Sequence, residues 1–330
     1  MSQVTATSSV PVVQENGDFK VINKSVIILR RFLRNKAAVF GLCVFIGMGL
    51  FGKYLTKYKP NDIDYMALGE GPSAEHWFGT TIAGNDVFAM MSEAVWTSLQ
   101  IGVVVGLATV FISAVYGCVM AYFGGWIDKI MLFILETLIM VPSLLILAIL
   151  INGQVGKQIQ KSVPTWVLLS AVLIAFGWMG NARVIRAMAQ SLINRDFVKA
   201  ARYMGVHPFK IVMRHLVPNI GSLLVLSFTS GIMGAVLSEV AYSFIGIGIK
   251  YPNYSLGSLI SDASQQINTL PHMFWFPVLF FFLLVGPLAL MNDGLRDAFD
   301  PTSMSVGKIK KSKKNEKAEA PAAAAKEAKN

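Results

Sequence analysis

Long apolar runs separated by short polar stretches dominate the chain, and their length predicts what they form. A bilayer core of about 30 Å takes roughly 20 apolar residues of helix. Six runs approach that length, at residues 37–55, 98–122, 130–151, 165–180, 220–240 and 274–291. The fourth is the shortest, and its pattern predicts continued helix through residues 181–185. The pattern therefore predicts an all-α polytopic membrane protein with six transmembrane helices. The residues ahead of the first run are mostly polar and contain no short apolar segment with a small-residue cleavage site, so the first span is expected to be retained.

Composition agrees with that picture. Of 330 residues, 54% are hydrophobic and only 15% charged, and the mean hydropathy is +0.55. These values exclude a disordered chain and an ordinary soluble enzyme. Two cysteines, Cys43 and Cys118, both inside apolar runs, exclude a disulfide-stapled module. The net charge of +10 changes meaning once it is mapped. Segments 1–36, 123–129, 181–219 and 292–330 hold 23 of the 29 basic residues, and segments 56–97, 152–164 and 241–273 hold five. The bias predicts that both termini are cytoplasmic. The charge is topological, and no nucleic-acid partner is needed to explain it. The external segment 56–97 carries six carboxylates instead: Asp62, Asp64, Glu70, Glu75, Asp86 and Glu93.

Three domains follow. Residues 1–36 form a cytoplasmic tail in which 25–36 (SVIILRRFLRNK) is either an amphipathic helix on the anionic inner leaflet or a solvated basic flank. Residues 37–302 form the membrane domain. Residues 303–330 form a Lys/Ala-rich tail with almost no core-forming side chains, expected to be disordered.

The cytoplasmic segment 181–219 is far longer than a plain helix connection. Arg183, Arg186 and Gln190 suggest that span four projects past the membrane. Phe197, Ala200, Ala201 and Met204 recur at helical spacing and predict a short amphipathic helix. Gly205 is placed to stop it, Pro208 to start a second helix, and Pro218 to end that one. Two short helices with an apolar stripe and a basic rim suit either a partner's groove or a lipid surface.

Ala200, Ala201, Gly205 and Pro218 resemble the EAA loop of permease subunits of bacterial ATP-binding-cassette (ABC) importers, with Lys199 in place of the glutamate, His215 of the isoleucine and Val217 of the leucine. Three further stretches resemble the C-type permeases of dipeptide and oligopeptide importers. His76-Trp77-Phe78-Gly79-Thr80 followed by Gly84-Asn85-Asp86 is one, with Thr81 and Asn85 as departures. Glu239 through Gly248, followed by Pro252 to Gly257 with Leu256 for a tryptophan, is another, and Asn292 through Pro301 is the third. Four motifs in order cover roughly residues 25–302. The resemblance implies the type I ABC importer permease fold and a place in the bacterial cytoplasmic membrane. It implies that Lys199, Ala200, Ala201, Gly205, Val206, His207, Pro208 and Pro218 form the coupling element that docks on an ATPase. The implied partners are a homologous second permease subunit, two ABC ATPase subunits that hold ATP and Mg, an extracellular or periplasmic peptide-binding protein, and membrane lipid. No cofactor is implied in this chain.

Two carboxylates lie within or at the end of spans, Glu136 and Glu239. A carboxylate at that depth faces a cavity or a neighbouring helix. Either residue lines a translocation path, where it meets a peptide amino terminus, or makes a helix-to-helix hydrogen bond. Pro142 predicts a kink in span three. The recurring glycines Gly102, Gly106, Gly117, Gly221, Gly231 and Gly234 read as close-packing positions. Asp293, Arg296, Asp297 and Asp300 are spaced to pair with one another. Gly246-Ile247-Gly248 is not a phosphate loop, because no P-loop pattern occurs. The four histidines are scattered over both predicted sides, with no catalytic or metal spacing, so the chain reads as a transport subunit rather than an enzyme. Import of di- or oligopeptides is the expected function. The alternatives are a nickel-chelate permease of the same family and a non-transporting membrane scaffold or sensor.

Overall fold

Polar residues decide where the apolar runs begin and bend. The computed structural model describes residues 24–299, so the polar segment before Lys24, Asp300, Pro301 and the 303–330 tail lie outside the described residues. Helix α1 (Lys24–Arg34) forms over the basic-apolar segment. Asn35 then caps α2 (Lys36–Leu55) by accepting the Ala38 amide, and the two helices meet at 90°. Phe32 on α1 is buried with Met291 and Ala298, so α1 leans on the far end of the bundle.

The central element is α3 (Val87–Phe123), which is 37 residues long. It rises about 55 Å, well beyond a hydrocarbon core. It begins at Val87, eleven residues before the expected start of span two, so the segment between the first two spans shortens to 56–86. The cause is local. Asp86 caps the helix through the Ala89 amide at 2.7 Å, and Ser92 and Thr97 return their hydroxyls to the carbonyls four residues earlier. Polar positions that interrupt the hydropathy pattern are thus satisfied inside the helix.

Span three is broken rather than gently kinked. Helix α4 (Gly125–Ile139) and α5 (Ser143–Asn152) meet at 60° around Pro142. A short α6 (Gln154–Gln160) follows. Helices α7 (Thr165–Gly177) and α8 (Met179–Ile193) run on as a 29-residue element, extending span four farther than its pattern indicated. The chain continues through α9 (Asp196–Tyr203), α10 (Pro208–Ile211), a π-turn (Val212–Leu216) and α11 (Val217–Asn219). Long helices α12 (Gly221–Phe244) and α14 (Pro271–Phe299) flank the short α13 (Leu256–Ser264).

Pro218 does not end its helix as expected. It sits inside α11, and the helical path turns only at Ile220. The π-turn just upstream explains why: one wider turn makes room for the proline ring and for the carbonyl left without an N–H donor.

Among the described residues, four helices are long and apolar enough to cross a membrane, or up to six if each bent pair is one span. Among the described residues there is no strand, only isolated bridges pairing Ile63 with Asn85 and Thr80 with Asp86. Helix α3 packs α12 on one side and α8 on another. At Gly117 a Cβ would come 2.7 Å from the Ala182 carbonyl oxygen, so only glycine allows α3 and α8 that separation.

Candidate coupling elbow and translocation groove

The α9–α10 turn is built by backbone geometry. Gly205 adopts φ +71°, the left-handed region open to glycine. Its amide donates to the Arg202 carbonyl at 3.1 Å, and the Val206 amide donates to the Ala201 carbonyl at 3.1 Å. These two bonds are the Schellman pair that closes a helix C-terminus. Pro208 then opens α10 at its first position.

The elbow has a buried stripe of its own. Val198 and Ala201 face inward, with Ile211, Val212 and Leu216, against Ile185 and Ala189 of α8 and Ala114, Cys118 and Ala121 of α3. Phe197 and Met204, of the stripe expected to meet a partner's groove or lipid, are exposed, with Met204 at 74%, whereas Ala201 of the same stripe is buried. The physical reason is crowding: small Ala201 and branched Val198 fit against the ends of α3 and α8, where larger side chains do not. Tyr203 and Phe209 are exposed beside Met204, so the elbow has an apolar, aromatic tip on a rigid base. Arg202 lies over the Tyr122 ring with its guanidinium carbon 4.9 Å from the centroid, tying α9 to the end of α3. Lys199, Ala200, His207 and Pro218 lie along the accessible side or are only partly covered, and Lys199 forms no ion pair among the described residues.

A groove of about 680 Å³ opens between α3, α7, α8, α12 and α14. Small and hydroxylated positions of α12 line it, including Ser227, Ser230, Gly234 and Ser238, and it reaches Asn181, Asn292 and Arg296. Hydroxyls fix the two amides: Ser227 donates to Asn181 Oδ1 at 3.0 Å, and Thr229 donates to Asn292 Oδ1 at 2.8 Å. Arg296 is the only charged side chain lining the groove. The expected pairing of Asp293, Arg296 and Asp297 does not occur among the described residues. On α14 the guanidinium turns to the groove instead.

Neither of the two span carboxylates lines this groove. Glu136 is exposed on the outer face of α4. Glu239 is completely buried, accepting from Ser98 Oγ at 2.9 Å and from Ser243 Oγ at 2.8 Å. It staples α12 to α3.

A second polar cluster sits in the segment between α2 and α3. His76 Nδ1 lies 2.8 Å from Asp86 Oδ2, and Nε2 lies 3.5 Å from Asp64 Oδ2. Tyr58 stacks on the imidazole at 4.7 Å. Burial opposes charging His76, but the hydrogen bond and charge of Asp86, then of Asp64, outweigh it and raise the pKa above the ordinary value. A raised folded-state pKa stabilises the fold fully below about pH 6.5, and that contribution fades as pH climbs through the higher folded value. Amides of residues 76–86 are therefore expected to exchange hydrogen faster at alkaline pH, after correction for intrinsic rates, and His76→Asn should abolish that dependence.

With this geometry in hand, the relatives are informative. Residues 113–304 match the family described as binding-protein-dependent transport system inner membrane component, and residues 26–72 match the N-terminal TM domain of oligopeptide transport permease C. An oligopeptide transport system permease protein of Mycobacterium bovis is 36% identical over 287 residues, 86% of this chain and 97% of that protein. Its counterpart in Bacillus subtilis is 30% identical over 300 residues, 88% of this chain and 95% of that one. The chain belongs to the binding-protein-dependent inner-membrane transport family. An inward-facing MetNI methionine ABC transporter chain is more distant, at 19% identity and a TM-score of 0.45 over 64% of this chain.

Family membership makes this a transport permease, consistent with its chain of apolar helices. Sequence reasoning placed the elbow but overlooked Asn181 and Asn292 as groove residues. Their signal was present: each is an amide at the polar end of an apolar run. The Asp64–His76–Asp86 cluster was not legible, because its members are 10 and 12 residues apart in an irregular segment.

Proposed function

We propose that this chain is the C-type permease subunit of an ATP-driven importer of di- or oligopeptides, with the type I permease fold, six spans and both termini in the cytoplasm of a bacterium. The elbow carries this reading. Its exposed tip of Phe197, Tyr203, Met204 and Phe209 stands on a base packed into the ends of α3 and α8. A partner ATPase that closes around ATP and Mg pulls the tip, and the rigid base passes that motion to the two helices bordering the path. The work comes from ATP on the partner, so this chain needs different contacts in two states rather than a catalytic group. Peptide cargo is supported by the names of its near full-length relatives, which favour neither a nickel permease nor a scaffold.

The 680 Å³ groove is half of the path in this reading, its mixture of apolar, hydroxyl and amide groups with the cationic Arg296 suited to peptides of varied side chains. A homologous second permease supplies the other half. Two ABC ATPases and an extracellular binding protein complete the importer. Cells lacking the chain are expected to lose uptake of labelled peptides and to keep uptake of nickel. Loss of nickel uptake alone would overturn the peptide assignment.

A further inference from the structure

Helix α4 poses a problem of solvation. Its inner face is short: Leu135 is buried with Met120, Met179 and Ala182, and Met131 and Leu132 pack around them. Its outer face is bare and mostly apolar, with Trp126 79% and Phe133 70% exposed and Met140, just past its end, 82%; Lys129, exposed near its start, lies with its ammonium 5.9 Å over the Trp126 ring. Such a face would be at home in lipid, except that Glu136 lies on it, exposed.

Depth makes that position untenable in hydrocarbon. Glu136 lies eleven residues from Gly125, the first residue of α4, so about 16 Å along the axis and close to the middle of a 30 Å core. A carboxylate there must face water, a donor or a cation. Among the described residues, Glu136 accepts no hydrogen bond and forms no ion pair. Arg186, whose charge reaches Glu136, is already held through Nε and Nη2 by Asp128. The groove does not supply the water. Gly177, Gly180, Asn181 and Val184 turn one side of α7–α8 to the groove, whereas Met179, Ala182 and Arg186 face α4.

We infer that the Glu136 face of α4 is the seam with the second permease subunit, which presents a hydrogen-bond donor or a cationic side chain to Glu136 at mid-membrane depth. This rests on reading the chain as half of a two-permease path. The occupant must be a membrane helix, because Phe133 and Met140 bracket the carboxylate with apolar surface. A second copy of this chain fits less well. Near a two-fold axis it would bring carboxylate against carboxylate, with no donor from either side. A different chain can offer the complementary group, and such donors within lipid fix partner choice as well as contact.

The test is co-purification from membranes in which the full chain and its second permease are co-expressed. Glu136→Leu removes the charge and leaves a residue that lipid accepts, so the chain's own level in the membrane is expected to hold. Capture of the second permease should fall about 10-fold or more, whereas Glu136→Gln, which still accepts a hydrogen bond, should retain most of it. Cysteine at Phe133 should cross-link to the second permease. Full assembly of Glu136→Leu with uptake lost would overturn the seam in favour of a path-lining carboxylate. Full assembly with uptake intact would overturn it in favour of a lipid-facing one, and Glu136-dependent capture of a second copy would overturn the choice of partner. Absence of peptide uptake by the unaltered importer would instead defeat the functional reading, which the assembly measurement does not depend on.

Discussion

Gly205→Val is expected to abolish ATP-driven peptide uptake while the chain still reaches the membrane at normal levels. Space is not the issue, since nothing lies within 4 Å of where a Cβ would be. The cost is conformational. At φ +71° an L residue loses about 1–2 kcal/mol, and a β-branched one more. Relief requires leaving the left-handed region, which breaks the Gly205 and Val206 amide bonds to Arg202 and Ala201 together. Helix α10 would then leave α9 in a different direction, and the Tyr203–Met204–Phe209 tip would no longer exist as one surface. Asparagine is close to valine in size but tolerates left-handed backbone, so Gly205→Asn should keep a substantial fraction of uptake. Measuring ATP hydrolysis alongside uptake in reconstituted importer separates a coupling failure from a folding one. Equal activity of the two variants would show that turn geometry is not what couples the elbow.

The second large effect is expected at Glu239. Replacing it by leucine should lower the Tm of the purified protein by about 4 °C, corresponding to a loss of about 3 kcal/mol. Ser98 and Ser243 both donate to this carboxyl, and Ser243 Oγ also receives the Ile249 amide at 3.1 Å. Removing the acceptor leaves two buried hydroxyls without their partner and opens the loop after α12, where Ile249 is docked. Glu239→Gln keeps one acceptor oxygen and should cost much less, near 1 kcal/mol. If Glu239→Gln instead abolished uptake with an unchanged Tm, the residue would be meeting cargo and not stapling helices.

These two residues mark how far the sequence alone could be read. Gly205 was legible because its role is local: a glycine between an amphipathic helix and a proline specifies a turn from four or five neighbouring residues. Glu239 was legible only as a carboxyl near the end of a span. Its fully enclosed position depends on Ser98, 141 residues earlier in the chain. The same distinction explains the elbow stripe. Spacing marks Phe197 and Met204 as part of an apolar stripe for a partner or lipid, but that Val198 and Ala201 hold the elbow to the ends of α3 and α8 depends on the distant helices they meet.

By itself the sequence determined that the chain is helical and membrane-bound, where the elbow turns, and which family it resembles. All of these rest on composition over about twenty residues or on motifs read in order, quantities that need no contact partner. The tertiary structure alone decided that α3 starts at Val87, that Arg296 faces the groove, that His76 joins Asp64 to Asp86, and that Glu239 is buried while Glu136 is bare. Each of these depends on which side of one helix meets which side of another, and close packing between distant segments settles that where periodicity does not.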